Sequence, residues 1–185
     1  MVILGDLGGQ AMRKNDARIW RRVGVTLSIV VGVFMFGEGT GRANDTPDTA
    51  QVLEELHQSN QKEVAAGKMA AKNGKSRQVK DYGKMLEKDH SAADKKVTAL
   101  AKDEKVTLAG AKADSDMGGM AADPTFDTKF AQEMLDDHKK DIASVTDARD
   151  HTPDPKLKKL LSDLMPTLQK HEDTAQKIVD SEAKK

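Results

Sequence analysis

The chain has 185 residues, 30 Lys and Arg against 30 Asp and Glu, no cysteine and only 3% aromatic residues. The lack of cysteine excludes disulfides, thiolate metal ligands and a lipid-acylated cysteine at the N-terminus. The even charge balance excludes the broad basic face that nucleic-acid binding requires.

The first segment reads as a targeting leader. Arg13, Lys14, Arg18, Arg21 and Arg22 precede an uncharged, mostly apolar run from Val23 to Phe36. That run falls short of the roughly 20 residues a membrane span needs, and it matches the core of a signal peptide. The polar stretch 37–43 ends in Gly41-Arg42-Ala43, whose small residues place cleavage after Ala43, so residues 1–43 are expected to be a signal peptide, with Met12 an alternative start. An uncleaved anchor is the competing reading. The leader carries six basic and three acidic residues, which leaves 24 against 27 and a net charge of −3 for residues 44–185. An exported, periplasmic or secreted domain without a transmembrane span is expected.

Four helices follow. The pairs Thr46-Pro47, Asp123-Pro124 and Asp154-Pro155 each offer a capping acceptor before a proline in the first turn, and Ser76 caps the remaining helix just after the Asn73-Gly74 stop. These marks predict helices over 48–73, 76–103, 124–147 and 155–181. The first carries Leu53, Leu56, Asn60, Gly67 and Ala70 on one stripe, with Glu63 between Asn60 and Gly67. The second carries Val79, Gly83, Leu86, Ala93, Val97 and Leu100 at alternating four-three spacing, and His90 fills the gap in the series. Residues 104–123, rich in glycine and polar groups, form a flexible linker, read either as a crossover or as a mobile lid. In the third helix Phe126, Phe130, Met134, Ile142 and Val145 surround His138 at mid-stripe. In the fourth, Leu157, Leu161, Leu164, Leu168, Ala175 and Ile178 leave one gap, filled by His171. The lengths and connections predict an all-α, antiparallel four-helix bundle.

Each helix therefore presents one ionisable group at about mid-length on its apolar stripe. Burying a lone charge costs several kcal/mol, so the group must be satisfied internally or neutralised. Either Glu63, His90, His138 and His171 bind one another as an inert layer that fixes helix register, or they ligate a divalent transition metal, for which imidazoles and a carboxylate suit Zn, Fe, Cu or Mn. Glu87, three residues before His90, is a secondary ligand candidate, and Asp89 is placed to orient an imidazole from outside. His57 could border the same cavity, whereas His151 falls in the loop before Pro153. Pro166 should free the carbonyl of Ser162 and bend the fourth helix one turn before His171. Met117 and Met120 raise a copper alternative, although methionines such as Met69, Met85, Met134 and Met165 are ordinary core fillers. No nucleophile–base pair or phosphate-cradling loop occurs, so enzymatic activity has no direct support in these residues.

Asn60-x-x-Glu63, Gly67-Lys-Met-Ala70, Gln78-Val79-Lys80, Met85-x-x-x-Asp89-His90, Phe126-Asp127, His138 and Pro166-x-Leu168-x-x-His171 together resemble the secreted bacterial family catalogued as domain of unknown function 4142, over about residues 50–180. The resemblance implies a ferritin-like bundle behind a signal peptide, in an exported or outer-membrane-associated protein, and brings no reaction with it. Glu63 and Glu87-x-x-His90 match the first half of the ferritin-like ligand pattern. The second half departs from it: His138 stands where that pattern has Glu, and Leu168 stands three residues before His171. A single-metal or non-catalytic site is thus expected rather than a di-iron centre. The alternative is an envelope structural or interaction protein whose polar layer is inert and whose outer faces or linker meet a protein partner.

Overall fold

The computed structural model describes residues 46–111 and 123–184, which form four helices: α1 (Thr49–Asn73), α2 (Arg77–Asp103), α3 (Phe126–His151) and α4 (Pro155–Glu182). No strand occurs among the described residues. Each helix has 25–28 residues, about 38–42 Å at 1.5 Å per residue. The leader, and the linker methionines Met117 and Met120, lie outside the described residues.

Three of the four starts carry a side-chain cap. Asp154 accepts from the backbone N–H groups of Lys156 and Leu157, with Pro155 in the first turn, as expected. Ser76 Oγ likewise accepts from Val79 N. The other two proline pairs behave differently. The cap of α1 is Asp48, not Thr46, and its carboxylate accepts from Ala50 N. At α3, Asp123 accepts from Thr125 N and Oγ1 and closes a turn, so the helix begins at Phe126 with Thr125 at its cap and no side-chain capping bond. Asp side chains bond backbone two residues ahead as readily in a turn as at a helix start, so the residue pair alone does not separate the two outcomes. The far end of α3 extends to His151, which therefore ends a helix rather than lying in a loop.

Contacts at the two ends fix the directions of the helices. At one end the turn between α1 and α2 meets the start of α3: Lys75 N and Ser76 N donate to the Asp127 carboxylate at 2.8 and 2.6 Å, and Lys75 Nζ reaches the Pro124 carbonyl at 2.7 Å. At the other end Thr49 Oγ1 donates to Asp154 at 3.4 Å, and Lys156 pairs with Glu104 at 2.7 Å. Hence α1 runs up, α2 down, α3 down and α4 up, with hairpins α1/α2 and α3/α4 packed through α2 against α4 and α1 against α3. The end of α2 and the start of α3 thus lie at opposite ends of the bundle. The first part of the connection between them climbs along α1, where Ala109 N donates to Glu54 and Ala111 N to Gln61, while Val106 and Leu108 pack on the core.

The interior divides into two apolar clusters. The lower one is aliphatic, built on Val52, Leu53, Leu56, Val97, Leu100, Leu157, Leu161 and Leu164. The upper one holds Tyr82, Phe126 and Phe130 with Val79, Leu86 and Ile178. Each fully buried Leu or Phe contributes about 1.5–3 kcal/mol. The α1/α2 hairpin is unusually close, because a Cβ on Gly83 would stand 2.6 Å from Ala71 N and from Gly67 O. Between the two clusters lies a buried polar layer: Asn60, Glu63, His90, Asp137, His138, Asp141 and His171.

Candidate metal centre

His90, His138 and His171 converge from α2, α3 and α4. One ring nitrogen from each lies within 4.8 Å of the other two, and all three rings are buried. The ring centroids are 5.0–5.7 Å apart. The four-three stripes thus deliver three side chains to one height.

Outer hydrogen bonds decide which nitrogen of each ring carries the proton. His138 Nδ1 is 2.8 Å from the carbonyl of Met134, which can only accept, so Nδ1 is protonated. His90 Nδ1 donates to Asn60 Oδ1 at 2.9 Å. His171 Nε2 donates to the Asp89 carboxylate at 3.2 Å. Burial drives the pKa of all three imidazoles down, well down for His90 and to about 4 for His171, with neighbouring imidazoles adding to the effect at His90 and His171. The rings are therefore neutral near pH 7, and their unprotonated nitrogens are Nε2 of His90, Nε2 of His138 and Nδ1 of His171, the last two turned toward each other.

That arrangement leaves an electrostatic debt. His138 Nε2 and His171 Nδ1 face each other at 3.2 Å, and a proton between them requires ionising an imidazole or breaking an outer bond. His90 Nε2 is buried with no hydrogen-bond partner. Two ligands on a tetrahedral ion with bonds of about 2.0–2.1 Å stand about 3.3 Å apart, so the His138–His171 spacing is that of a ligand pair. Outer carbonyl, amide and carboxylate acceptors are the usual means of orienting metal-bound imidazoles.

The other expected site residues take different places. Asp89 accepts from His171 Nε2, and its Oδ2 also lies 3.9 Å from Lys170 Nζ. Glu63 is buried in the layer but stands outside the group of three, and its Oε2 has no hydrogen-bond partner. Desolvation, with Asp137 and Glu133 nearby, raises its pKa to about 8. Glu87 is half-buried and also outside the group. His57 pairs with Asp94 at 2.6 Å and does not line the cavity beside the cluster.

Asp137 and Asp141 were not anticipated. Both are buried, and desolvation raises both pKa values, to about 7 for Asp141. The spacing that places His138 also places Asp141, since 134, 138, 141 and 145 continue a four-three stripe; the apolar Ile142 drew the assignment one residue too far and is only partly buried. Tyr82 lies off the second-helix stripe, yet its ring is buried and its hydroxyl donates to the His171 carbonyl at 3.2 Å. Burial together with the Glu63 and Asp137 carboxylates keeps that hydroxyl protonated.

The chain is thus an all-helical, four-helix protein with a buried trio of imidazoles among its described residues. The chain is a member of the family described as Domain of unknown function (DUF4142), which matches residues 37–178. No curated protein matches it. Among solved structures it is similar to "CopM in the Cu(I)-bound form", at a TM-score of 0.65 and 15% identity, covering 73% of this chain and 97% of that one. At that identity the likeness concerns the fold. Among the described residues no helix is long and apolar enough to cross a membrane.

Proposed function

We propose that this protein is an exported, ferritin-like bundle that binds one transition-metal ion at mid-height through His90 Nε2, His138 Nε2 and His171 Nδ1, and serves metal handling in the cell envelope. The observation that carries this reading is the facing of unprotonated nitrogens, His138 toward His171 at 3.2 Å, in a trio whose third ring has a buried, unpartnered Nε2. No ring of the trio donates to another ring: His90 donates to Asn60, His138 to the Met134 carbonyl and His171 to Asp89, which leaves a bare nitrogen on each. Glu63 is the candidate fourth donor, because a buried carboxylate oxygen without a partner is otherwise costly.

Neutral imidazoles without thiolate suit zinc and copper. The bundle of similar fold is a Cu(I)-bound protein, which makes copper the first ion to test beside zinc. The chain, purified without a histidine tag or chelator, is expected to hold about one ion per molecule by elemental mass spectrometry, and the His90→Ala/His171→Ala variant none. Saturation at about 100 times Kd should stabilise the fold by about 2.7 kcal/mol, a rise in Tm of roughly 5–10 °C for a chain of this size. A parent protein that takes up neither zinc nor copper, nor iron nor manganese, would make the layer structural and turn the search to protein partners.

A further inference from the structure

Three features beside the metal site fall in one place. A cavity of about 30 Å³ lies directly against the layer on its lower side, lined among others by Asn60, Asp89, His90, Ala93, Asp141 and Thr167, and it is partly open to solvent. Its half-exposed lining residues are Ser59 of α1, Asp89 and Ala93 of α2 and Thr167 of α4, and the last three lie on the α2–α4 seam, which is packed less extensively than either hairpin. Pro166 lies inside α4 next to Thr167, and a proline there deprives the helix of one backbone hydrogen bond beside this residue.

We infer that the α2–α4 seam at Asp89, Ala93 and Thr167 is the port through which a metal cation reaches the three imidazoles, with Asp89 the carboxylate that meets it first. This rests on the metal-binding reading above. The Asp89 side chain is 23% exposed while that of His171, 3.2 Å from its Oδ2, is wholly buried, so one carboxylate touches both solvent and a ligand. The cavity adjoins His90 on the same side and has room for about one water-sized species, enough for a cation that has shed most of its hydration shell. Lys170, 62% exposed with its Nζ 3.9 Å from the same carboxylate oxygen, is a competing cation. It holds Asp89 in the resting protein and must yield to an incoming ion.

Transport through a port alters rates without altering affinity, and that separates this inference from a structural role for the same residues. Uptake of zinc(II), and of copper(I) under reducing conditions, is followed by stopped-flow competition with a chromophoric chelator, in the parent chain and in Ala93→Leu and Lys170→Ala. Filling the cavity with Ala93→Leu is expected to slow uptake and release by the same factor, about tenfold or more, with Kd unchanged. Lys170→Ala, on the surface and harmless to the core, should speed uptake several-fold at low salt and lose that advantage at high salt. If both variants exchange metal at parental rates, or if salt has no bearing on the Lys170→Ala rate, the port lies elsewhere and the inference fails. If the parent itself takes up no metal, the binding reading falls, and the port with it.

Discussion

At the scale of single residues, the layer gives up stability for chemistry. His90 occupies a stripe position between Leu86 and Ala93 that a leucine would fill, and its Nε2 is a buried acceptor without a donor. Leaving such a group unsatisfied costs about 1–3 kcal/mol, while replacing both members of a buried hydrogen-bonded pair by apolar groups is often neutral or stabilising. His90 and Asn60 form such a pair, at 2.9 Å. The double substitution Asn60→Leu/His90→Leu is therefore expected to make the metal-free protein more stable by about 1–2 kcal/mol in urea unfolding, while metal retention is lost. A destabilisation of that size instead would mean that the layer contributes to holding the bundle together. The three histidines were legible because each interrupts a series of apolar residues at fixed spacing. Asp137 and Asp141 were not, because in a chain with 32% charged residues an Asp beside Lys139 and Lys140 looks like any solvated face until the partner helix covers it.

Helix packing depends on features of a different kind. Gly67 and Gly83 allow the backbones of α1 and α2 to touch, and the nearest atoms to an added Cβ are backbone atoms that cannot swing aside. Helix propensity alone favours Ala over Gly by about 1 kcal/mol. Packing should reverse the sign, so Gly83→Ala is expected to lower stability by about 1–3 kcal/mol, measured by thermal or urea unfolding. At the far end of α2, Lys105 adopts φ 59 so that Val106 N can reach the Ala101 carbonyl at 2.8 Å and Val106 can cover the lower core. This is the closing turn in which glycine is preferred, and Lys105→Gly should stabilise the protein by about 1 kcal/mol. Helix number and the buried stripes were readable from the sequence, since Leu53, Leu56, Leu157 and Leu161 announce their faces by period alone. Two starts were misplaced because Thr46 and Asp123 are sound capping residues in the wrong frame, and only the tertiary contact of Asp127 with the α1–α2 turn anchors the beginning of α3. The direction of α3 was open for the same reason: nothing in residues 104–123 states which end of the bundle the linker must reach.

For the molecule as a whole, the layer couples folding to pH. Glu63 keeps its proton up to about 8 in the folded chain against 4.5 ordinarily, and Asp141 up to about 7 against 3.8, chiefly because both are desolvated; Asp137 is shifted the same way. A raised carboxyl pKa stabilises the fold fully below the unfolded value and stops doing so as pH climbs through the folded one. The lowered imidazoles act in the opposite sense: their contribution is present above 6.5 and is lost as pH falls toward about 4 at His171. Below pH 6.5 the two effects oppose each other. Above it the imidazoles are neutral in both states, and only the acids contribute a slope. The metal-free protein should therefore lose stability between pH 6.5 and about 8, by about 1.4 kcal/mol per pH unit for each acid still holding its proton. Urea unfolding across that window tests this, and Glu63→Gln, which cannot ionise, should remove one acid's share of the slope; an equal slope in the variant would show that Glu63 is already ionised. A bound cation reverses the preference, since it favours the charged carboxylates that the empty layer rejects. The metal-saturated protein should accordingly show a flatter decline over the same window, and its margin over the metal-free form should widen as pH rises.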